Sequence, residues 1–489
     1  MNKKIVIIGS GFGGLAMALR MRKHSEDVTL IEKHNDLGGR ARTFNHNGYS
    51  FDAGPTVITA PYLINELFAA HAKDPKDYFE LMPVKPWYRF VFDDHSHLDY
   101  GDNIYRTIKN IKNSYGNKNA SGYVKLLKKS KKIFNKAFIE LSDYPFESLL
   151  GMIKFLPDLI KIRFDQTVFK SVASHVDHTN LQKALSMHSL LVGGNPYSTT
   201  SIYLLIQYLE WKYGVYYAKG GTGSIVNGME KLLTELGVNI IKGTEVKKID
   251  HKDGQVKEVS TENNNIKTDI CICNSDASYT YKNLLGIKPK KISNKYALRH
   301  SMSLFVMYFA TKKIYSDVQH HTIFFSKRHK DLLNDIFNKK ILINDPSLYL
   351  HRPSATDSTM IQNGHDTFYV LAPVPNNYSG INWEEIEEDY SNLLVDIMDK
   401  NLLPNLKNEI VEKFYITPEY FENDLNSFKG NGFGIEPIFR QSAYFRFANN
   451  SREINNLFFV GSNTHPGAGV PGVISSAKVT EKVIMKKYA

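Results

Sequence analysis

Apolar residues in this chain form short unbroken blocks near both ends, with periodic patterns between them. Lys4-Ile5-Val6-Ile7-Ile8 has no polar alternation and predicts a strand buried on both faces. Helical periodicity runs from Leu15 to Lys23. A turn at His24-Ser25-Glu26-Asp27 leads to a second strand, Val28-Thr29-Leu30-Ile31, which ends in Glu32. Val238 to Ile241, Thr244 to Ile249 and Thr268 to Asp276 read as further strands returning to the same sheet. Cys271 and Cys273 alternate with isoleucines and share one face of the last, which suits packing; a metal site there would need partners that are not nearby. Ser303 to Phe309 predicts a strand of a second sheet. Asn456 to Val460 predicts another buried strand, followed by a glycine-rich loop and a helix from about Val473.

Between the first strand and the first helix stands Gly9-Ser10-Gly11-Phe12-Gly13-Gly14, with Gly9, Gly11 and Gly14 in the G-x-G-x-x-G register. Glycines there permit a tight turn and close approach of backbone to a pyrophosphate, whose charge rests on the helix N-terminus. Glu32, 18 residues after Gly14, stands where an acid accepts hydrogen bonds from a ribose hydroxyl. Strand, glycine turn, helix, strand and terminal acid together predict a dinucleotide site. Lys219 to Ser224 is also glycine-rich but lacks the strand-and-acid context. A second nucleotide fold for NAD(P) is therefore not expected.

After Glu32-Lys33 come Leu37-Gly38-Gly39-Arg40-Ala41-Arg42-Thr43 and then Phe51-Asp52-Ala53-Gly54-Pro55. This stretch resembles the flavin-binding arm of the glutathione-reductase-like superfamily. The resemblance implies FAD, with Gly39 passing beneath a phosphate and Arg40 paired to the pyrophosphate charge. It places Lys33, Gly54 and Pro55 beside the cofactor, and Val246 and Asp276 on its returning strands. At the C-terminus, Gly461, Gly469 and Val470 belong to a glycine-rich entry to a helix. Such an entry can stabilise negative charge on a flavin ring as it is reduced. His465 reads as a residue that shapes this loop.

With 489 residues, 42% hydrophobic and 23% charged, the chain fits a globular protein of two domains. Two cysteines cannot build a disulfide framework. No charged-then-apolar leader is present, so the first residues are expected to belong to the fold. The uncharged stretches 184–209 and 454–477 are broken by Gly and Pro, so no membrane span is expected. The net charge of +11 is uneven: ten basic residues and no acid lie between Asn103 and Ile139. Such a run suggests an anionic partner, nucleic acid or a phospholipid surface, or else a solvated helix face.

Longer motifs sharpen the picture. Ser186 to Tyr203 (SMHSLLVGGNPYSTTSIY), Trp211-Lys212-Tyr213-Gly214-Val215, Tyr369 to Pro375 (YVLAPVP), Gly432 to Pro437 (GFGIEP) and Thr464 to Gly472 (THPGAGVPG) occur in order along the chain. Together they resemble the bacterial and fungal type of phytoene desaturase, of the carotenoid and retinoid oxidoreductase family. Ser462-Asn463 and the segment around Met360 to Asn363 depart from the family pattern, which bears on fine specificity.

The resemblance implies an α/β fold, a Rossmann-like FAD domain of the glutathione-reductase kind with an inserted α+β substrate domain. We assign 1–80, 215–285 and 430–489 to the first and 81–214 and 286–429 to the second. It implies FAD-dependent removal of hydrogen pairs from phytoene toward neurosporene or lycopene, with a quinone or oxygen as electron acceptor. The substrate resides in lipid, because a hydrocarbon of some forty carbons costs tens of kcal/mol to place in water at about 0.8 kcal/mol per CH₂. The chain is thus expected to be cytoplasmic and peripherally membrane-associated, with no nucleic-acid partner. The basic run and residues 146–173, apolar stretches edged with Lys154, Lys161, Arg163 and Lys170, would face lipid, and an apolar tunnel would hold the substrate. No proton acceptor and no resident metal are identified. A flavin amine oxidase, a redox-neutral carotene isomerase and a nucleic-acid-binding protein are the rival readings.

Overall fold

Five short strands with wholly or mostly apolar side chains form a parallel sheet in the order Asn239–Ile241, Val28–Ile31, Ile5–Ile8, Ile270–Cys273, Leu457–Phe459. The register is in step, Ile5 lying beside both Val28 and Ile270 and Cys271 beside Leu457. The structure is a computed structural model and describes residues 1–288 and 298–488. Both faces of this sheet are covered. Helices Phe12–Arg22, Gly223–Glu235 and Val470–Tyr488 pack on one side through Leu15, Leu19, Met229 and Ile474, all at most 1% exposed. Val6, Ile8 and the two cysteines face the other core. Cys271 and Cys273 are fully buried free thiols, as packing residues should be, and the hydrogen bond between them, together with burial, raises the Cys273 pKa.

Two readings of the sequence change here. Residues 246–252 do not return to the parallel sheet. Val246–Lys252 pairs with Gln255–Thr261, which pairs with Asn265–Lys267, as a separate antiparallel sheet. Period-two alternation marks a half-buried strand but does not name its partner. The first helix also starts at Phe12 rather than Leu15, inside the glycine motif, because tight packing on the strand outweighs the poor helix propensity of Gly13 and Gly14.

A seven-stranded mixed sheet lies beyond, in the order Ile410–Ile416, Ser303–Thr311, Asp366–Val374, Leu348–His351, His321–Phe325, Tyr88–Phe92, His97–Tyr100. Every residue of Ser303–Thr311 is buried, between a layer around Trp383 and Tyr390 and one around Leu332 and Phe337.

The basic run occupies a helix, Ile104–Phe134, with a non-helical break at Gly116, and the turn after it. Its cations are not all uncompensated. Lys129 Nζ is 2.7 Å from Ser171 Oγ, Lys136 makes 2.6 Å ion pairs with Glu140 and Asp158, and Lys131 sits 5.6 Å from the Tyr208 ring centroid. Lys118 pairs with Asp177 at 2.5 Å and Arg106 with Asp102 at 3.4 Å. The acids come from neighbouring segments, which is why the run looks acid-free when read alone. No helix among the described residues is long and apolar enough to cross a membrane.

Candidate active site

The glycine loop is a crossing of two chain segments. Gly9 has φ +90°, and a Cβ on Gly14 would lie 1.9 Å from the Gly9 carbonyl oxygen, so strand and helix meet at a distance only glycine allows. Gly38, at φ +107°, donates its N–H to Ser10 O at 3.1 Å, and a Cβ on Gly39 would lie 3.4 Å from Gly11 Cα. The two glycine turns predicted from sequence therefore touch. Gly11 caps the helix without a side-chain hydrogen bond, which leaves first-turn amides at the positive end of the dipole for a ligand.

Glu32 is buried at the end of its strand. Its Oε2 accepts from Ser10 N at 2.8 Å and Ser10 Oγ at 2.6 Å, and its Oε1 from His34 N at 3.0 Å. Arg40 donates Nη2 to Ser427 Oγ at 2.5 Å and to Asn431 O at 3.3 Å, while its Nε has no partner. Burial lowers the Arg40 pKa, and Asp276 nearby offsets part of that. Asp276 itself caps residues 277–279 and accepts from Asn431 Nδ2 at 3.0 Å. Lys33 turns away to Asn423 O at 2.7 Å and Glu245 at 3.7 Å. Val246 is buried at the start of its antiparallel strand.

Gly11, Arg40, Gly54, Pro55, Gly461 and Gly469 line one cavity of ≈ 500 Å³, as does Val470. Gly9, Gly14, Glu32, Lys33, Gly39, Val246 and Asp276 are not on its wall. The same cavity continues past Ile202, Leu205, Leu304, Phe325, Leu333 and Leu348 into the seven-stranded sheet, so the glycine loops and an apolar chamber share one space. The sequence led us to expect an apolar tunnel; the structure shows an apolar cavity contiguous with the glycine loops.

Several wall residues were not expected. Asn274, after the fourth parallel strand, would clash at 2.4 Å with a Cβ on Gly13. Its place beside Gly11 and Gly461 follows from strand order, which no local pattern encodes. Glu210 is fully buried, with Oε1 2.8 Å from Tyr88 OH and Oε2 3.0 Å from His188 Nε2. Thr56 Oγ1 lies 3.0 Å from Tyr349 OH and 2.8 Å from Tyr369 OH, and Tyr369 OH donates to Gly54 O at 3.1 Å. His465 Nε2 donates to Leu141 O at 3.2 Å, and burial lowers its pKa to about 4. Buried Arg446 braces the C-terminal loop through Thr464 O at 3.0 Å and Ser462 O.

These residues fit FAD. A glycine cradle meets uncapped helix amides, Arg40 Nε and Arg42 Nε are buried without partners, and Glu32 Oε1 keeps a free lone pair.

Comparison with known proteins agrees. Residues 12–480 match the family of flavin-containing amine oxidoreductases. A lycopene-forming phytoene desaturase of Pseudescherichia vulneris is 39% identical over 99% of both chains. The neurosporene-forming enzyme of Rhodobacter capsulatus is 37% identical over 98% of this chain and 94% of that one. Among solved structures, putrescine oxidase bound to putrescine superposes with a TM-score of 0.65 at 10% identity over both whole chains. A fatty acid isomerase from P. acnes gives 0.64 at 12% identity over 100% of this chain and 99% of that one, a likeness of fold alone. With two crossed glycine turns, an unpartnered arginine edge and full-length relatives of one kind, the chain is an FAD-dependent oxidoreductase of the flavin-containing amine oxidoreductase family and groups there with the bacterial phytoene desaturases.

Proposed function

We propose that this protein desaturates phytoene, removing hydrogen pairs in succession toward neurosporene or lycopene. The observation that carries the reading is the continuity of the cavity: space beside the glycine loops opens directly into an apolar chamber. A hydrocarbon offers no hydrogen-bond handle, so its binding free energy comes from apolar burial at about 25 cal/mol per Å². FAD held there would supply the hydride-accepting chemistry for an allylic C–H. The chain's residues supply the rest. Gly11 and Arg40 would hold the diphosphate on a loop whose close packing Gly9, Gly14 and Gly39 permit, Glu32 would take a ribose hydroxyl, and Gly461, Gly469 and Val470 would bound the ring. Val246 and Asp276 support the same region from behind it. The segments 1–80, 215–285 and 430–489 act as the FAD domain and the remainder as the substrate domain, with a quinone or oxygen as final acceptor.

We further propose that the protein docks on membrane lipid at the cavity mouth. Leu150, Ile153, Leu156 and Ile160 are 80%, 49%, 38% and 55% exposed on two short helices, with Lys154 and Lys161 at their edges. Met152 and Leu159, on the inner sides of the same helices, line the cavity. This arrangement favours apolar insertion supported by charge over docking through the basic helix alone.

The test is expression in cells that make phytoene and no later carotenoid. Neurosporene or lycopene is expected. Unchanged phytoene beside a flavin-loaded protein would remove the reading. Turnover by reduced enzyme without any acceptor would replace it with isomerisation.

A further inference from the structure

Behind the cavity wall, three histidines meet in the core. His321 opens its strand and His351 ends the neighbouring one, and the antiparallel register sets them directly opposite, with rings stacked at 5.7 Å. Directly opposed residues project to the same face of a sheet. His320, one position earlier, completes the group, with its ring 4.4 Å from His321 and 4.8 Å from His351. All three are at most 2% exposed.

We propose that His320, His321 and His351 form a three-imidazole site for a late first-row divalent metal, zinc(II) being the simplest occupant.

Geometry is the first support. With Zn–N bonds of about 2.0–2.1 Å, a coordinated ring centroid lies ~3.2 Å from the ion, so tetrahedral rings stand about 5 Å apart. The three observed separations bracket that value. One nitrogen from each ring lies within 4.8 Å of the others, and His320 Nε2 and His351 Nε2 are 3.1 Å apart.

Hydrogen-bond polarity is the second. Gly54 O can only accept, so Tyr369 donates to it. Thr56 must then donate to Tyr369, Tyr349 to Thr56, and His321 Nδ1–H to Tyr349 across 2.7 Å. No other polarity satisfies all four contacts. A neutral His321 therefore carries its proton on Nδ1 and presents a bare Nε2, which is buried and has no partner. The arrangement matches a metal-bound imidazole whose other N–H is anchored by a second residue. The ligand set is all nitrogen, which suits zinc and its neighbours over magnesium or calcium.

Surrounding charges are compatible with a dication. The nearby Arg352 is held by Asp366 at 2.7 Å, and Tyr217, whose ring packs 4.7 Å from His320, donates to Asp52 at 2.9 Å. An ion there would pin two strands at the foot of the Tyr349–Thr56–Tyr369 chain and so fix hydroxyls on the cavity wall.

The experiment is elemental analysis of the purified flavoprotein after desalting, with zinc and cobalt(II) reconstitution. About one metal per chain is expected, with visible cobalt bands at longer wavelength than the flavin and a melting temperature that chelation lowers. His351→Gln and His320→Asn should each lose the metal and keep the flavin spectrum. Metal below about 0.1 per chain, with no thermal shift on adding zinc to wild type, would overturn the site. Equal metal in wild type and both variants would overturn it as well. If the variants do not fold, the wild-type stoichiometry and cobalt spectrum decide alone.

Discussion

Ser10 donates twice to a single oxygen of Glu32, from its amide at 2.8 Å and its hydroxyl at 2.6 Å, while the other oxygen takes His34 N–H. A carboxylate oxygen has about two lone-pair sites, so Oε2 is full and Oε1 keeps one for a ribose hydroxyl. Glu32→Gln cannot reproduce this: turning its oxygen to Ser10 sets an NH₂ against His34 N–H. We expect FAD affinity to fall at least about tenfold, or about 1.4 kcal/mol, by titration of the apoprotein. Unchanged affinity would remove Glu32 from the cofactor site.

Arg40 gives the complementary case. Its Nη2 is held by Ser427 and Asn431 while Nε is free, so the guanidinium is already oriented before any phosphate arrives. Arg40→Lys keeps the charge and loses the fork. A weakening of FAD binding by about 1–2 kcal/mol is expected in the same titration, nearly independent of salt because the charge is retained.

The strands Ile5–Ile8 and Val28–Ile31 were legible because unbroken apolar runs flank a glycine turn and the acid Glu32 directly follows the second. What fixes the site's surroundings was not legible. Arg40 depends on Ser427, hundreds of residues downstream, and Lys129 and Lys136 find Ser171 and Asp158 across a helix pair. The histidine cluster joins positions thirty residues apart through strand pairing. Local periodicity reports burial and faces, whereas these contacts are products of topology.

Asp52 offers a test of pH linkage. It is 4% exposed, accepts from Thr222 N at 2.6 Å and Tyr217 OH at 2.9 Å, and burial raises its pKa from 3.8 to about 6. The folded chain thus binds this proton more tightly than the unfolded one. Asp52 costs little stability below pH 4, and its cost grows as pH rises to about 6 and is complete above that, reaching roughly 2–3 kcal/mol. Asp52→Asn can keep the Thr222 contact without the charge. Its melting temperature relative to wild type should therefore rise by about 2–3 °C between pH 4 and pH 7.5. A constant difference across that range would contradict the assignment.

Tyr349→Phe removes the middle hydroxyl of the chain from His321 to Gly54 and leaves Thr56 and His321 Nδ1 each short of a partner. Both groups are buried, so a loss of about 1–3 kcal/mol in stability is expected, read as a lower melting temperature. Flavin content should stay normal, since no contact of the glycine loops is touched.

The proposed lipid docking divides into apolar and charged contributions that can be tested separately. Leu150, Ile153 and Ile160 present exposed side chains on the helices whose Met152 and Leu159 line the cavity, and fully burying such a side chain is worth about 1.5–3 kcal/mol. Replacing all three with Ser should lower vesicle partitioning at least about tenfold at every salt concentration, because apolar burial is not screened. Lys125, Lys128 and Lys132 are exposed and, among the described residues, form no ion pair. Their change to Glu should weaken binding to anionic vesicles strongly at low salt and less near physiological ionic strength, since each lysine near an anionic surface contributes about 1 kcal/mol and the attraction is screened. Sedimentation with anionic and neutral vesicles at two salt concentrations separates the two, with flavin absorbance as the control for folding. If the serine variant sediments like wild type while the glutamate variant does not, the basic helix and not the cavity mouth meets the membrane, and the substrate must enter by another route.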